Sequence, residues 1–145
     1  MSHRPARNAL VLTAFLVLLA TAVSAQDKTV KKVPVKPTNP TSGAEMFKEY
    51  CAVCHGAAAK GDGPAASALK TPPPDLTTLA KRHDGAFPDA YVANVLRNGV
   101  QKPAHGSSEM PMWGPLFLTM NKDDDAEVNL RIANLTKYIK TLQVK

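Results

Sequence analysis

Cys51-Ala52-Val53-Cys54-His55 is the stretch on which the fold depends, because it holds both cysteines of the chain. The other 143 of the 145 residues contain no thiol, which excludes a disulfide framework like those of small secreted domains. The two sulfurs are three residues apart, and an imidazole follows at once. These three side chains therefore act together at one place in the chain.

Two cysteines and a histidine at this spacing are the attachment signature of a c-type haem. Each thiol of Cys51 and Cys54 can form a thioether with one haem vinyl group, and His55 then lies under the iron as an axial ligand. A structural zinc site would need His83 and His105 to complete four ligands at an unusual spacing. A thioredoxin-like redox pair would follow a strand of a βαβ unit. The third alternative is a chance match, and we favour one covalent haem c.

The first 25 residues have the pattern of a secretory signal. Two arginines and no acid precede an apolar run over residues 10–20, and small residues lead up to Ala25. We expect cleavage after Ala25 and export of the mature chain to the periplasm. The alternative is a retained membrane anchor, because residues 8–26 form an uncharged stretch close to the length of a spanning helix.

The remaining chain divides into a tether and one domain. Residues 26–40 contain three prolines and five charges without apolar periodicity, which predicts an extended tether outside the folded domain. Residues 41–145 are long enough for a single modest core. Loss of the leader leaves a surplus of four positive charges, and aromatic residues are only 6% of the chain, so nothing indicates nucleic-acid binding.

The domain is predicted to be all-α, with four or five short helices, because no run alternates with period two. Thr41-Ser42 can cap a helix over 43–51. Further helices are expected as one turn at 65–69, a short helix ending at Arg82, one over 88–97, and a last helix starting at Asn121 or Asp123. The stretch 101–115 is expected to be loop. The last helix has an apolar stripe of Val128, Ile132, Leu135, Ile139 and Leu142. Helices this short bury little on one another, so a cofactor is expected to fill the centre.

The domain resembles a bacterial class I cytochrome c over about residues 41–145. The features that carry the resemblance are Gly43, Phe47, the motif ending in His55-Gly56, Gly61-Asp62-Gly63-Pro64, Glu109-Met110-Pro111, and Leu135 with Tyr138. It implies a cytochrome c fold around one covalent haem. It also implies that the first and last helices cross, with Gly43 and Phe47 against Leu135 and Tyr138.

The resemblance also implies the other haem contacts. Met110, which precedes a proline, is the expected sixth ligand, and Met112 is expected to pack over the haem edge. The alternatives for the sixth position are Met112, His105, His83 or an open site. The carbonyl of Pro64 is expected to accept a hydrogen bond from the ring of His55. Candidates to bind the haem propionates are Trp113, Arg82 and Arg97.

A His/Met-ligated haem implies a periplasmic one-electron carrier that docks briefly with redox partner proteins. Nucleic acid is not an expected partner, and neither is a membrane unless the leader is retained. The exposed lysines expected to steer an acidic partner are Lys48, Lys60, Lys70, Lys81 and Lys102. The alternatives are a cytochrome subunit of an oxidoreductase, a haem enzyme or sensor with a displaceable sixth ligand, and a colourless zinc or thiol module.

Overall fold

Helices account for all the regular secondary structure in the part of the chain that the computed structural model describes, residues 35–100, 109–120 and 124–144. They are α1 (Gly43–Met46), a π-helical turn (Phe47–Cys51), α2 (Ala52–His55), α3 (Asp89–Asn98), α4 (Trp113–Met120) and α5 (Asp125–Thr141). Three 3₁₀ turns lie between α2 and α3, at Ala66–Ala68, Leu76–Thr78 and Lys81–His83. The predicted all-α fold is confirmed. No helix within these ranges is long and apolar enough to cross a membrane.

The first three elements form one continuous helical run, residues 43–55, which carries the Cys-x-x-Cys-His motif. Its start was predicted correctly: the Ser42 hydroxyl accepts the N–H of Glu45 at 3.2 Å, which satisfies one of the free donors of the first turn. Its predicted end at Cys51 is too early. The π-helical turn ends there, and the chain then continues helically to His55. The motif therefore lies on helical backbone.

The later helices begin at capping residues. Asp124 caps α5, and its side chain accepts the N–H groups of Ala126 and Glu127. Pro88 precedes α3, close to the predicted start. In contrast, α4 begins inside the stretch predicted to be loop. Pro115 lies in the first turn of α4, where a missing backbone N–H disrupts no helical hydrogen bond. The short helix predicted to end at Arg82 is two 3₁₀ turns instead.

The helical run 43–55 packs against α5 at the contact that the family resemblance implied. The rings of Phe47 and Tyr138 have centroids 5.5 Å apart, and Leu135 is fully buried. A Cβ at Gly43 would overlap the carbonyl oxygen of Asn134 and lie 2.7 Å from the Cβ of Tyr138. The two helices approach this closely only because Gly43 has no side chain.

Residues 35–40 are part of this packed structure, which corrects the predicted tether. Thr38 is buried, the Tyr50 hydroxyl donates to the carbonyl of Lys36 at 2.7 Å, and the Asn134 amide donates to the carbonyl of Pro40 at 3.0 Å. The domain boundary predicted at Thr41 is therefore wrong, because polar groups of the core take their acceptors from this segment. The remaining tether residues, 26–34, and the leader lie outside the described residues.

Arg131 is the buried cation that holds residues 35–40 in place. Its side chain forms an ion pair with Glu127 at 2.7 Å and donates to the hydroxyl and the carbonyl of Thr38, each at 3.0 Å. Because the Tyr50 hydroxyl gives its single proton to Lys36, the Thr38 hydroxyl is the donor in its 2.9 Å contact with Tyr50. Aligned donors of this kind polarise one another in a low dielectric.

We expect Gly43→Ala to lower the free energy of unfolding by about 1–3 kcal/mol, because the added methyl group meets backbone of α5 that cannot move aside. Helix propensity alone predicts that the free energy of unfolding rises by about 1 kcal/mol, so the sign of the measured change distinguishes the steric effect from propensity. Guanidinium unfolding provides the measurement. Ala44→Gly at the exposed neighbouring position is the matched control, with an expected loss of about 1 kcal/mol from propensity.

We expect Arg131→Met to cost about 3 kcal/mol of unfolding free energy, because the Thr38 carbonyl oxygen then remains buried without this donor. Lys140→Met is the control: it breaks the ion pair with Asp89, in which both side chains are about half exposed, and should cost about 0–1 kcal/mol. Equal losses in the two variants, measured by the same denaturant titration, would contradict the structural role of Arg131.

Candidate haem site

The two cysteines flank the junction between the π-helical turn and α2. Cys51 is buried, Cys54 is partly exposed, and the two sulfurs are not joined in a disulfide. Burial, reinforced by the neighbouring Cys54, raises the pKa of the Cys51 thiol to about 12. Thiols of redox-active Cys-x-x-Cys pairs have lowered pKa values, so this shift argues against the thioredoxin-like alternative.

His55 is held at the end of α2 by a hydrogen bond to the Pro74 carbonyl. The residue is 8% exposed, and its Nδ1 lies 3.2 Å from that oxygen. Burial lowers the pKa of His55, and the hydrogen bond opposes part of this effect. The neutral imidazole is thus favoured, with its proton on Nδ1, because a carbonyl oxygen only accepts. The lone pair is left on Nε2, which is the form of histidine that binds iron.

This acceptor corrects the prediction of Pro64. Pro64 is exposed, and the oxygen within reach of the His55 ring is that of Pro74, the last of three consecutive prolines. Sequence reasoning missed Pro74. The available signal was the proline run itself, since Pro72 to Pro74 fix their φ angles and hold the last carbonyl in one direction.

The Gly61-Asp62-Gly63-Pro64 turn has a different role, which is to cap the end of α2. The N–H of Gly61 donates to the carbonyl of His55 at 2.8 Å, that of Gly63 to Cys54 at 3.1 Å, and that of Ala65 to Val53 at 2.8 Å. Three carbonyls that a helix end normally leaves without partners are satisfied in this way. The motif is therefore rigid around all three of its functional side chains.

Gly63 and Gly56 make this close approach possible. A Cβ at Gly63 would lie 2.6 Å from the carbonyl oxygens of both Ala52 and Cys54, so any side chain there would push the turn away from α2. Gly56, which ends the helix, has φ +79°, a conformation that residues with a Cβ rarely adopt.

The backbone around Pro74 is also held in place by contacts with residues other than His55. A Cβ at Gly61 would overlap the Pro73 carbonyl oxygen, so the two backbones are in direct contact. The N–H of Leu76 donates to the carbonyl of Ala59 at 2.8 Å, and the Asp75 carboxylate accepts the N–H of Thr77 at 2.8 Å. The hydrogen-bond acceptor of His55 therefore has little freedom to move.

The candidates for the sixth ligand differ in their surroundings. Met110 is partly buried and packs against the hydrophobic core, whereas Met112 is 55% exposed, which does not support the packing predicted for it. His83 lies on the surface, with its ring 5.9 Å from that of Tyr91. His105 lies outside the described residues. Within the described ranges, no three His, Cys, Asp or Glu side chains cluster as metal ligands.

The three candidates to bind propionates all have protein partners. The indole of Trp113 is buried and stacks on Tyr50, with ring centroids 5.1 Å apart. The Arg82 guanidinium donates to the Asp75 carbonyl at 2.7 Å, and the Arg97 guanidinium donates to the side chain of Asn129. Their binding to propionates stays a prediction.

The donor set of this site fits a covalently attached haem. Cys51 and Cys54 supply two unpaired sulfurs at the sequence spacing of the haem-attachment motif, and His55 supplies a neutral imidazole with its Nε2 lone pair available. Met110 adds a partly buried thioether. The backbone around the motif is fixed by the capping turn and by the Pro74 acceptor, so the donors are already oriented.

Replacing the thiols should remove the covalent links one at a time. Cys51→Ala and Cys54→Ala should each retain haem through one thioether, and the band of the reduced pyridine haemochrome should move to longer wavelength, because one vinyl group stays conjugated. The double variant should lose all haem on extraction with acidified acetone. Val53→Ala, between the two thiols, is the control and should match the parent; a single-cysteine variant that matches the parent would contradict the assignment.

Comparison with known families agrees with this site. The model of the family described as Cytochrome c matches residues 40–143, which include the motif, the Pro74 acceptor and Met110. No curated protein and no solved structure matches the chain. The family match covers more than two thirds of the chain, and the residues that it implies for haem attachment are in place. The chain therefore belongs to the cytochrome c family and binds haem c covalently through Cys51 and Cys54.

Proposed function

We propose that the protein is a bacterial class I cytochrome c that carries single electrons in the periplasm, with His55 and Met110 as the two axial ligands of one haem. The observation that carries this proposal is the fixed orientation of His55. Its Nδ1 is bound to the Pro74 carbonyl, so only Nε2 is available to the iron. Met110 is the partly buried thioether whose place in the sequence matches the ligand of the family.

With His55 and Met110 both bound to the iron, no coordination position would be left for a substrate. The haem supplies reversible one-electron chemistry, and Met/His ligation is the combination that raises its potential in this family. The chain's own contribution is to hold the two ligands in place and keep water away from them. These properties suit an electron carrier better than a haem enzyme.

The aromatic residues beside the motif support that role. Tyr50, which immediately precedes Cys51, stacks on Trp113, and the ring of Phe117 lies 5.8 Å from that of Tyr50. All three are buried. Closely packed rings next to the attachment site exclude water and limit rearrangement of the ligands, which keeps the reorganisation cost of electron transfer small.

Export and partner choice complete the proposal. The leader pattern supports a periplasmic location, where redox partners dock briefly through small interfaces. Lys48, Lys60, Lys70 and Lys81 are exposed and would steer an acidic partner, and Lys102 lies outside the described residues. The same chain could serve as a free carrier or as the cytochrome subunit of an oxidoreductase, and co-purification of the partner distinguishes the two.

Met110→Ala tests the axial ligation, with Met112→Ala as the matched control. The full chain is exported from a host that attaches haem c. We expect Met110→Ala to lose the Met-to-iron charge-transfer band of the ferric protein and to lower the potential by on the order of 0.1 V, since the axial ligand sets the potential. Met112→Ala should retain both properties.

Two results would count against the proposed function. A charge-transfer band that survives Met110→Ala would assign the sixth position to another residue. A parent protein that is high-spin in the ferric state and takes up small ligands rapidly would instead support the enzyme or sensor alternative.

A further inference from the structure

We propose that Glu109 is a positioning residue for the Met110 ligand: its carboxylate fixes the chain next to Met110 to the backbone of Lys70. Lys70 begins the short segment, residues 70–74, whose last residue accepts the hydrogen bond of His55. One segment thereby positions both axial ligands. This inference rests on the proposed coordination by Met110 and adds to it the element that holds that ligand.

The contact of Glu109 is long-range and well formed. Its two carboxylate oxygens lie 3.2 and 3.1 Å from the backbone nitrogen of Lys70, 39 residues away in sequence. The N–H of Lys70 is thus shared between two oxygens of a charged acceptor, and hydrogen bonds to charged groups are stronger than those between neutral groups. Glu109 is partly buried and Lys70 is exposed, so the contact lies at the surface of the domain.

The other partner in this contact cannot easily move. Residues 72–74 are prolines with fixed φ angles. The Pro73 carbonyl is in direct contact with Gly61, and the Pro74 carbonyl faces His55 Nδ1. Just beyond the segment, the N–H of Leu76 donates to the carbonyl of Ala59. Glu109 therefore binds to a part of the backbone that is itself held at several points.

Met110 is consequently constrained on both sides. Glu109 precedes it with the bond to Lys70, and Pro111 follows it with a fixed φ angle. Two residues later the buried indole of Trp113 begins α4. Without the Glu109 contact, the residue before Met110 would lose its hydrogen bonds to the Lys70 segment.

The expected consequence is a more easily displaced thioether. An external ligand binds to the state in which Met110 has left the iron, and its apparent affinity rises in proportion to the population of that state. Removing the Glu109 contact lowers the cost of reaching that state. The result should be tighter binding of a small competing ligand while Met110 still occupies the iron in its absence.

The test uses the full-length haem-containing protein and imidazole as the competing ligand. The variants are Glu109→Ala, Glu109→Gln, which keeps one acceptor oxygen without the charge, and Glu45→Ala. Glu45 is an exposed acid on α1 whose side chain has no ion pair among the described residues, so it controls for the change of charge. Two quantities are measured: the imidazole affinity of the ferric protein, and the amide hydrogen exchange of Lys70 by NMR.

We expect Glu109→Ala to raise the imidazole affinity about fivefold, with Glu109→Gln intermediate and Glu45→Ala within twofold of the parent. The Lys70 amide should exchange about tenfold faster in Glu109→Ala, because its acceptor is gone. All variants that carry Met110 should keep the charge-transfer band. Glu109→Gln and Glu109→Ala remove the same charge, but only Glu109→Gln keeps a hydrogen-bond acceptor. A smaller effect of Glu109→Gln on the imidazole affinity therefore means that the hydrogen bond, and not the charge alone, positions the ligand.

Three results would overturn the inference, and each is recognisable. An imidazole affinity of Glu109→Ala within twofold of the parent means that the contact does not position the ligand. An unchanged exchange rate of the Lys70 amide means that the contact does not protect it. Survival of the charge-transfer band in Met110→Ala removes the proposed coordination itself, whatever the Glu109 variants do, so this failure is distinct from the other two.

Discussion

The hydrogen bond between His55 Nδ1 and the Pro74 carbonyl is the interaction on which the site depends. It fixes the ring of His55 and places the lone pair on Nε2. The proline segment that carries this carbonyl lies against Gly61, whose N–H in turn caps the carbonyl of His55 itself. His55, its acceptor and the end of its helix are therefore parts of one closed arrangement.

The turn after the motif supplies hydrogen-bond donors to the carbonyls at the end of the helix. A helix that stops at a buried ligand leaves carbonyls that water cannot reach, and each one without a partner would cost free energy. Here three N–H donors at alternate positions, 61, 63 and 65, satisfy three consecutive carbonyls. Gly63 is needed because its backbone lies almost against α2, and Gly61 because its backbone lies against the Pro73 carbonyl oxygen. The glycine-rich composition after His55 is a consequence of this geometry.

Much of the fold could be predicted from local patterns. Ser42 and the apolar stripe of α5 located two of the helices, and the motif located the haem attachment. The errors arose where tertiary contacts decide. Pro64 and Pro74 both offer a carbonyl, and only the folded chain determines which one faces His55. Likewise, Thr38 is a polar residue between prolines, and its burial depends on Arg131, 93 residues away. No local pattern reports a pairing over that distance.

Arg131 and Glu109 each hold in place a segment without regular structure, one before the motif in sequence and one after it. The buried guanidinium ties residues 35–40 to Tyr50, the residue before Cys51, while the Glu109 carboxylate ties the Met110 region to Lys70. In both cases a charged side chain takes backbone groups of a segment without regular structure as its partners. Short helices alone provide few such fixed points. The domain thus gains rigidity around the haem-attachment motif from polar contacts with its loops as well as from its apolar core.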